Sequence, residues 1–279
     1  MDVVLIIGVF VTILTAIPVL IQMKNHPKGL FVCFAAETWE RFSYYGMRAL
    51  LIYYVTRHFL FTDDQANEQY ASYTTLVYLL PLVGGVVADR WLGTRRAIIF
   101  GGLLLVLGHF GMAFEGKPNQ QTLNYQGHVY EFVHEGGKDT GDLKLKIGEN
   151  LYDYGPNKDG GMKIKNLPSD APLPSILAKD SYQMGVKSET PWAQNAFYLA
   201  LSLIIMGVGF LKANISSIVG QLYREKDPRR DAGFQLYYFG VNLGAFWATI
   251  LCGSLGENVG WWAGFGLAAL FRAGAPRPW

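Results

Sequence analysis

Four charged residues and two tyrosines occur inside one apolar stretch, FAAETWERFSYYGMRAL, at positions 34–50. On a helix these polar side chains lie at offsets 0, 3, 4, 7, 8 and 11, which places them on a single stripe. The members of the stripe are Glu37, Glu40, Arg41, Tyr44, Tyr45 and Arg48. Ionisable side chains at membrane depth are rare and mark substrate or ion paths. The stripe therefore predicts a polar cavity inside a helix bundle, not a surface that faces lipid.

This set of side chains suits the chemistry of a proton-coupled carrier. A buried carboxylate is costly unless a cation compensates it, so a carboxylate whose cation partner comes and goes takes up and releases a proton. Tyrosine offers a hydroxyl for hydrogen bonds and a ring for apolar packing. A second interpretation is a set of structural ion pairs between helices, such as Glu37 with Arg41 at i,i+4. One pair would suffice for that purpose, so four charges on one stripe favour a lined cavity.

Other apolar stretches carry single polar residues. Lys212 lies in GFLKANISS and Asn242 lies in YYFGVNLGAF. A lone lysine at membrane depth needs a carboxylate partner, and Glu37 or Glu40 is the available candidate. A lone asparagine often ties helices together, so binding of a ligand and helix association stay equally open for Asn242.

The whole chain has the composition of a protein that crosses the membrane several times. Of its 279 residues, 51% are hydrophobic and 16% are charged, against about a quarter charged in soluble domains. Spanning helices need about 20 mostly apolar residues. The net charge of +2 gives no indication of a nucleic-acid partner, and Cys33 and Cys252 lie in apolar segments without metal-ligand spacing. The seven candidate spans are about 3–22, 30–56, 67–90, 95–114, 193–221, 233–254 and 258–271.

The short linkers between these stretches predict the orientation of the chain. Basic short loops stay in the cytoplasm, and the linkers rich in Lys and Arg are 23–29, 89–96 and 223–231. The N-terminus and the long insertion are therefore expected on the extracytoplasmic side. The first stretch is interpreted as a retained helix because Asp2 stands where a cleaved signal peptide has basic residues.

The polar insertion, residues 115–191, has strand-like patterns. LKLKI (143–147) and MKIKN (162–166) alternate apolar and polar residues. We expect a small β-rich module over roughly 118–175, with PSDAPLP (168–174) as the linker that follows it. His128 and His134 are expected to be surface residues, not metal ligands. The turns are predicted at QGH (126–128), GEN (148–150) and NKDGG (157–161).

Two other classes of function fit the residues less well. Paired glutamates can do acid–base work, but the sequence has no nucleophile beside a base, no H-E-x-x-H metal set and no cofactor loop. We therefore expect no enzyme activity, no metal and no cofactor. A receptor built on the insertion would need only one or two anchoring helices, and intramembrane charges on several stretches argue against it.

Taken together, these stretches resemble the proton-dependent oligopeptide transporter family of the major facilitator superfamily. ETWER (37–41) matches its E-x-x-E-R motif, and GGVVADRWLGTRRAI (84–98) matches a superfamily loop motif and the first family signature. GFLKAN (209–214) matches the lysine motif of the fourth core helix, and FQLYYFGVNLGAF (234–246) matches the second signature. The resemblance covers about 30–270 apart from the insertion, which itself resembles extracytoplasmic inserts of some bacterial members.

The resemblance implies a symporter that takes up di- and tripeptides by alternating access, with protons as the coupling ion. Three sets of residues carry over from the motifs. The proton-coupling set is Glu37, Glu40, Arg41 and Lys212, with Lys212 as the ion-pair partner of the cluster. The peptide site is implied at Arg41, Tyr44, Tyr45, Arg48, Tyr78, Lys212 and Asn242, with the basic residues on the peptide carboxylate. The cytoplasmic gate motif is Gly85, Asp89, Arg90, Gly93, Arg95 and Arg96.

The chain departs from the family in its extent. Family members have twelve core helices in two halves with the site between them, whereas this sequence carries an extra N-terminal helix and only the first half. The second half would supply the acidic groups for the peptide amino end, so a missing six-helix half is an expected partner, besides the bilayer. The expected location is the bacterial inner membrane. The expected segments are 1–23 for the extra helix, 30–114 and 193–271 for core helices 1–3 and 4–6, 115–191 for the insertion, and 272–279 for an aberrant tail.

Three interpretations of this extent stay open. The chain is half of a symporter, or the product of a truncated or frameshifted gene that inserts without transporting, or a half-size transporter that acts as a dimer. FRAGAPRPW at the end (271–279) favours a shifted reading frame, because its composition differs from that of the preceding helix.

Overall fold

The computed structural model describes residues 2–134 and 142–273, with side chains from 3 to 133 and from 142 to 270. These residues form two compact units, a helical unit and a β-rich unit that consists of residues 116–191 together with 56–61. Within the described residues, the helices are α1 (Asp2–Met23), α2 (Lys28–Arg57), α3 (Asp63–Val87), α4 (Thr94–Met112), α5 (Pro191–Gln221), α6 (Arg230–Asn258) and α7 (Trp261–Ala273).

Five helical segments are long and apolar enough to cross a membrane. They are Val3–Met23, Asp63–Leu92, Thr94–Met112, Pro191–Gln221 and Arg230–Asn258. Helix α2 has 30 residues, but the charges of its stripe keep it below this measure of apolarity. Helix α7 is shorter, with an apolar stretch at Trp261–Leu270. The predicted helical membrane protein with a small β-rich insertion is confirmed.

Local sequence signals explain how α3 begins and ends. Thr62 caps the helix, and Thr62 and Gln65 bond each other's backbone N–H groups in a capping box. At the other end the chain widens into one π-helical turn, Ala88–Leu92. Gly93 then has φ of 75°, which a residue with a side chain rarely adopts, and α4 begins at Thr94. The gate motif thus connects α3 to α4 through a tight turn at a glycine.

Glycines set the spacing of the core helices. Gly84 of α3 faces the backbone of Gly209 on α5. Gly101 of α4 faces the backbone of Gly207, which also lies on α5. A Cβ at Gly244 of α6 would overlap the carbonyl oxygen of Thr38 on α2. Small residues allow membrane helices to approach closely, where packing replaces the hydrophobic effect that drives association in water.

Helix α1 packs on α6 over a small area. Trp247 Nε1 donates to Thr12 Oγ1 at 3.0 Å, and a Cβ at Gly8 would lie 3.1 Å from the Phe246 ring. Only 6% of the spanning window of α1 is buried inside the protein. The rest of this helix presents valine, isoleucine and leucine outward, a surface suited to lipid.

The loop after α1 and the loop after α5 are joined by polar contacts. His26 Nδ1 lies 2.8 Å from Tyr223 Oη, and Arg229 Nη1 donates to the carbonyl oxygen of Asn25 at 2.8 Å. Arg229 also pairs with Asp227 at 2.9 Å. Burial, and after it the positive charge of Arg229, lowers the pKa of His26 below its ordinary value of 6.5, with Asp227 acting in the opposite direction.

The His26 contact is expected to weaken on acidification. Because the pKa of His26 is lower in the folded state than in the unfolded state, its contribution to stability is present above pH 6.5 and is lost as the pH falls below that value. We expect a small decrease in the thermal unfolding temperature from pH 7.5 to pH 5.5 that is reduced in His26→Gln. His128→Gln, at an exposed histidine of the insertion, is the control. An identical pH dependence in all three proteins would refute this assignment.

The β-rich unit contains two antiparallel sheets among the described residues. The larger sheet has the order β4-β3-β2-β1-β8 and the smaller one β5-β6-β7. The strands are β1 (Gln120–Tyr125), β2 (His128–His134), β3 (Leu143–Ile147), β4 (Asn150–Tyr152), β5 (Tyr154–Pro156), β6 (Met162–Ile164), β7 (Ile176–Leu177) and β8 (Tyr182–Lys187). Gln126 and Gly127 both have positive φ, as the two-residue turn between β1 and β2 requires.

The predicted strand at 143–147 is present, and the one at 162–166 is present only as Met162–Ile164, whereas the predicted linker at 168–174 is wrong. Leu173 is only 4% exposed and belongs to the core of this unit. Strand β8 follows and pairs with β1 from Gln120↔Lys187 to Tyr125↔Tyr182. The apolar side chain of Leu173 outweighs the turn-forming residues around it, so the module extends beyond 175. The His134 side chain and residues 274–279 of the predicted tail lie outside the described residues.

Candidate functional site

Three of the four charged residues of the α2 stripe form one buried cluster. Arg41 Nε lies 3.1 Å from Glu37 Oε1 and also contacts Glu40 Oε2. Each of these three side chains is at most 5% exposed. One guanidinium therefore faces two carboxylates in an interior where unpaired charge is costly.

Helix α6 adds a neutral donor to this cluster. Tyr237 Oη donates a hydrogen bond of 2.7 Å to Glu37 Oε2. The two oxygens of Glu37 thus have different partners, Arg41 on its own helix and Tyr237 on α6. The sequence prediction did not include Tyr237, although it lies in the FQLYYFGVNLGAF motif beside Tyr238. Only the packing of α6 against α2 shows which of these two tyrosines points at the cluster.

Aromatic rings continue the site along α2. The Arg41 guanidinium lies 5.2 Å from the centre of the Tyr44 ring. The ring of Tyr44 stacks on that of Tyr73 of α3, with 6.2 Å between the ring centroids. The ring of Tyr45 meets the ring of Tyr44 edge-on, with 5.0 Å between the centroids. The structure therefore brings the predicted tyrosines together and adds Tyr73, which the sequence prediction missed.

Arg48 lies further along the stripe and contacts α3. Its Nε donates to Tyr70 Oη at 2.5 Å, and its guanidinium lies 5.4 Å from the centre of the same ring. Arg48 is only partly buried, so it stays accessible to a small anionic group. Tyr70 was not predicted as a site residue, because its surroundings in NEQYASYTT carry no distinctive motif.

Lys212 on α5 is placed differently from the prediction. Its ammonium lies 4.4 Å from the centre of the Tyr78 ring on α3, a cation–π contact. Among the described residues no carboxylate oxygen lies within 4 Å of it, so the predicted ion pair with Glu37 or Glu40 is not formed in this structure. The Lys212 ammonium packs on the Tyr78 ring of α3, while Arg41, on the same helix as the glutamates, contacts both carboxylates.

Asn242 and the gate motif lie at the surface of the helical unit. The Asn242 amide donates to the carbonyl oxygen of Tyr238 on its own helix, at 3.1 Å, and the side chain is exposed. It ties no described helices together, so it is free to face a ligand. The charged residues of the gate motif are exposed, and within the described ranges Asp89 forms no ion pair with a basic residue. These exposed residues are Asp89, Arg90, Arg95 and Arg96.

The arrangement suits the binding of small charged molecules and the movement of protons. It offers guanidinium and ammonium groups for a carboxylate, tyrosines for polar and apolar contacts, and buried carboxyl groups that can change protonation. Across residues 2–134 and 142–273, no group of three or more His, Cys, Asp or Glu side chains could hold a metal ion.

The long apolar helices and the buried charge cluster define a helical protein of the multi-pass membrane class. The sequence model of the POT family (PTR2) matches residues 95–273. This match covers more than half of the chain, so the protein belongs to the POT family. The predicted family is thereby confirmed, and its relatives are transporters, not enzymes.

Relatives and solved structures agree with this assignment. The chain is 33% identical over 255 residues to a di-/tripeptide transporter of Lactococcus lactis subsp. lactis, and 32% identical over 251 residues to the uncharacterized transporter YclF of Bacillus subtilis. It is also similar to a crystal structure of a peptide transporter POT in complex with sulfate, with 32% identity and a TM-score of 0.60 over 89% of this chain. A POT family transporter in complex with 5-aminolevulinic acid matches with 29% identity and a TM-score of 0.57 over 89% of this chain.

The chain spans about 36% of the length of these relatives and structures, while 88–89% of its own length is matched.

Proposed function

We propose that the chain forms the N-terminal half of a proton-coupled symporter that takes up di- and tripeptides by alternating access. The observation that carries this proposal is the buried cluster of Glu37, Glu40 and Arg41, bonded to Tyr237 on a second helix. Buried charges of this kind are costly in a membrane protein, and they typically mark an ion or substrate path.

Charge balance supports proton coupling. Two ionised carboxylates and one guanidinium carry a formal charge of −1, because only one negative charge is neutralised. In the interior this excess charge calls for either a proton on one carboxyl group or a second cation. Lys212 is a cation with no described carboxylate within 4 Å, held near an aromatic ring. A proton would neutralise the excess charge in one state of the carrier, and the Lys212 ammonium would neutralise it in the other. The protonation of the cluster would thereby be coupled to the state of the carrier.

The accessible groups around the cluster support a peptide as substrate. Lys212 and Arg48 offer positive charge to a peptide carboxylate, and Asn242 offers an amide that can donate to or accept from a peptide bond. Relatives of the chain include a di-/tripeptide transporter. The proposed contact residues are Arg41, Tyr44, Tyr45, Arg48, Tyr78, Lys212 and Asn242.

The remaining predictions follow from the same proposal. The bilayer of the bacterial inner membrane surrounds the helices, the N-terminus and the β-rich insertion lie on the extracytoplasmic side, and protons are the only coupling ion. The second six-helix half provides the acidic groups that meet the peptide amino end.

Binding of a dipeptide to the full chain tests the proposal. The protein is placed in lipid nanodiscs and titrated with radiolabelled dialanine. We expect saturable binding that is at least about tenfold weaker in Lys212→Gln, since a charge-assisted bond to the peptide carboxylate contributes roughly 1.5–3 kcal/mol. Lys179→Gln, at an exposed lysine of the insertion, is the control. No saturable binding by the wild-type chain, or equal binding by Lys212→Gln, would contradict the proposal.

Uptake into proteoliposomes separates the interpretations of the chain's extent. Binding without accumulation of peptide under an inward proton gradient fits the half-carrier. Accumulation driven by the gradient favours a half-size transporter that acts as a dimer. A protein that neither binds nor accumulates peptide fits a non-transporting fragment.

A further inference from the structure

Tyr237 is buried beside the charge cluster and is bonded to one of its carboxylates. Its hydroxyl group donates to Glu37 Oε2 at 2.7 Å, and Tyr237 is 9% exposed. The next residue, Tyr238, is 63% exposed and points away from the cluster. Two adjacent tyrosines of one motif therefore have different environments, and only Tyr237 can act on Glu37.

The position of Tyr237 is set by close packing of α6 on α2. One turn beyond it, a Cβ at Gly240 would lie 2.7 Å from Thr38 Oγ1, and a Cβ at Gly244 would overlap the Thr38 carbonyl oxygen. Phe239 stacks on Phe34 with an interplanar angle of 6°. The backbones of the two helices thus approach on the side of Glu37, which holds the phenol within hydrogen-bond distance of the carboxylate.

The two glutamates are unequal. Arg41 makes its closest contact with Glu40, and its single positive charge neutralises one carboxylate. Glu37 lies further from Arg41, at 3.1 Å, and its second oxygen faces the neutral Tyr237. Glu37 is therefore the carboxylate that Arg41 neutralises less directly, and we take it as the one that a proton would neutralise.

A phenol is the side chain that suits both protonation states of a buried carboxyl group. It has one O–H donor and also an oxygen that accepts. When Glu37 is ionised, Tyr237 donates to it. When Glu37 carries a proton, the carboxyl O–H can donate to the phenol oxygen, or the phenol can still donate to the carboxyl oxygen. In neither state is the hydrogen bond between Glu37 and Tyr237 lost, and the loss of such a buried partner would cost about 1–3 kcal/mol.

From this geometry we infer that Tyr237 is a positioning residue that keeps Glu37 hydrogen-bonded in both protonation states while this carboxyl group exchanges the transported proton. The inference deepens the proposed function and rests on it. In the step, the O–H bond of the Glu37 carboxyl group breaks and the proton passes to water on the side to which the carrier is open. Tyr237 keeps its own proton, and the Glu40–Arg41 pair stays formed.

Other ionisable groups near Glu37 define the controls that the test needs. On its own helix they are Cys33, Glu40 and Arg41; Lys212 approaches from α5 and Tyr237 from α6. Tyr73 of α3 faces Glu40 and Arg41. A change in protonation must therefore be assigned to Glu37 by substituting that residue, because its location in the structure does not separate it from the other ionisable groups nearby.

Infrared difference spectroscopy of the full chain in lipid nanodiscs, between acidic and alkaline pH, tests the inference. Protonation of a buried carboxyl group gives a C=O band that is separate from those of exposed carboxyl groups. We expect this band to be lost in Glu37→Gln and to remain in Glu40→Gln. We expect it to shift to higher wavenumber in Tyr237→Phe, because the carboxyl group loses a hydrogen bond, and to stay in place in Tyr238→Phe.

The outcomes are distinct from those of the peptide experiments, because the band needs neither peptide nor uptake. A band that does not move in Tyr237→Phe, or that disappears in Glu40→Gln instead of Glu37→Gln, overturns the inference. Thermal unfolding of Tyr237→Phe checks that the variant is folded, and if it is not, Tyr237→His provides a second variant that retains a donor and an acceptor. With that variant, a band at the wavenumber of a carboxyl group without a hydrogen bond would also count against the inference. If the band behaves as expected and dialanine does not bind, the proposed peptide transport is refuted while the inference about Tyr237 and Glu37 still holds.

Discussion

Arg41→Gln is expected to destabilise the protein by about 3–5 kcal/mol at neutral pH, the typical cost of removing one partner from a buried ion pair. Arg41 is the cation that contacts both Glu37 and Glu40 in a site with at most 5% exposure. Without it, two negative charges face each other in the interior. Thermal unfolding in detergent, followed by the near-UV signal of the aromatic side chains, measures the change.

The destabilisation by Arg41→Gln should depend on pH in a definite direction. Protonation of the two carboxyl groups removes the unpaired charge, so the difference from wild type should be smaller at pH 5 than at pH 8. Arg96→Gln removes an exposed arginine of the gate motif and serves as the control, with no expected change at either pH. A destabilisation of Arg41→Gln that is equal at both pH values would show that charge compensation is not its cause.

Gly84→Ala is expected to destabilise the helical unit by about 1–3 kcal/mol, the usual cost of overpacking. A methyl group at this position meets the Gly209 carbonyl oxygen and lies 2.9 Å from the Phe210 backbone nitrogen. Backbone atoms cannot rotate away as a flexible side chain does, so α3 and α5 must separate. The separation would also move Tyr78 relative to Lys212, since these residues lie on the same two helices.

The next residue gives a matched control for Gly84. A Cβ at Gly85 would lie 3.5 Å from the Ala213 Cβ, which is ordinary van der Waals contact. Gly85→Ala is therefore expected to be neutral or to stabilise the helix by up to about 1 kcal/mol, the difference in helix propensity between the two residues. Thermal unfolding of the two variants under the same conditions should give shifts of opposite sign or of clearly different size. Equal shifts would exclude close backbone packing at Gly84 as the cause.

The proposed carrier has consequences for how these two regions work together. The charge cluster on α2 needs a second state in which a proton or Lys212 neutralises Glu37, and Lys212 belongs to the helix that Gly84 contacts. A helix contact made of glycine backbones allows one helix to slide along another with few side chains to repack. We therefore expect substitutions at this contact to change peptide binding as well as stability.

The class of protein and the presence of the charge cluster follow from the sequence alone. Apolar stretches of about 20 residues have few structures open to them in a bilayer. Offsets of 3 and 4 residues place Glu37, Glu40 and Arg41 on one face of any helix, whatever packs against it. The strand at 143–147 was equally predictable, because alternation of apolar and polar residues is a local property.

Which residues on other helices complete the site depends on how the helices pack against one another. Tyr237 and Tyr238 are adjacent and chemically identical, and the rotation of α6 about its axis selects the first. Lys212 packs on Tyr78 of α3, whereas Arg41 contacts both glutamates from their own helix. Leu173 lies in the core of the β-rich unit, packed in one cluster with residues such as Leu123 and Phe132, although the residues around it predicted a linker. In each case the deciding contact joins residues that are distant in sequence, and such contacts leave no periodic signal along the chain.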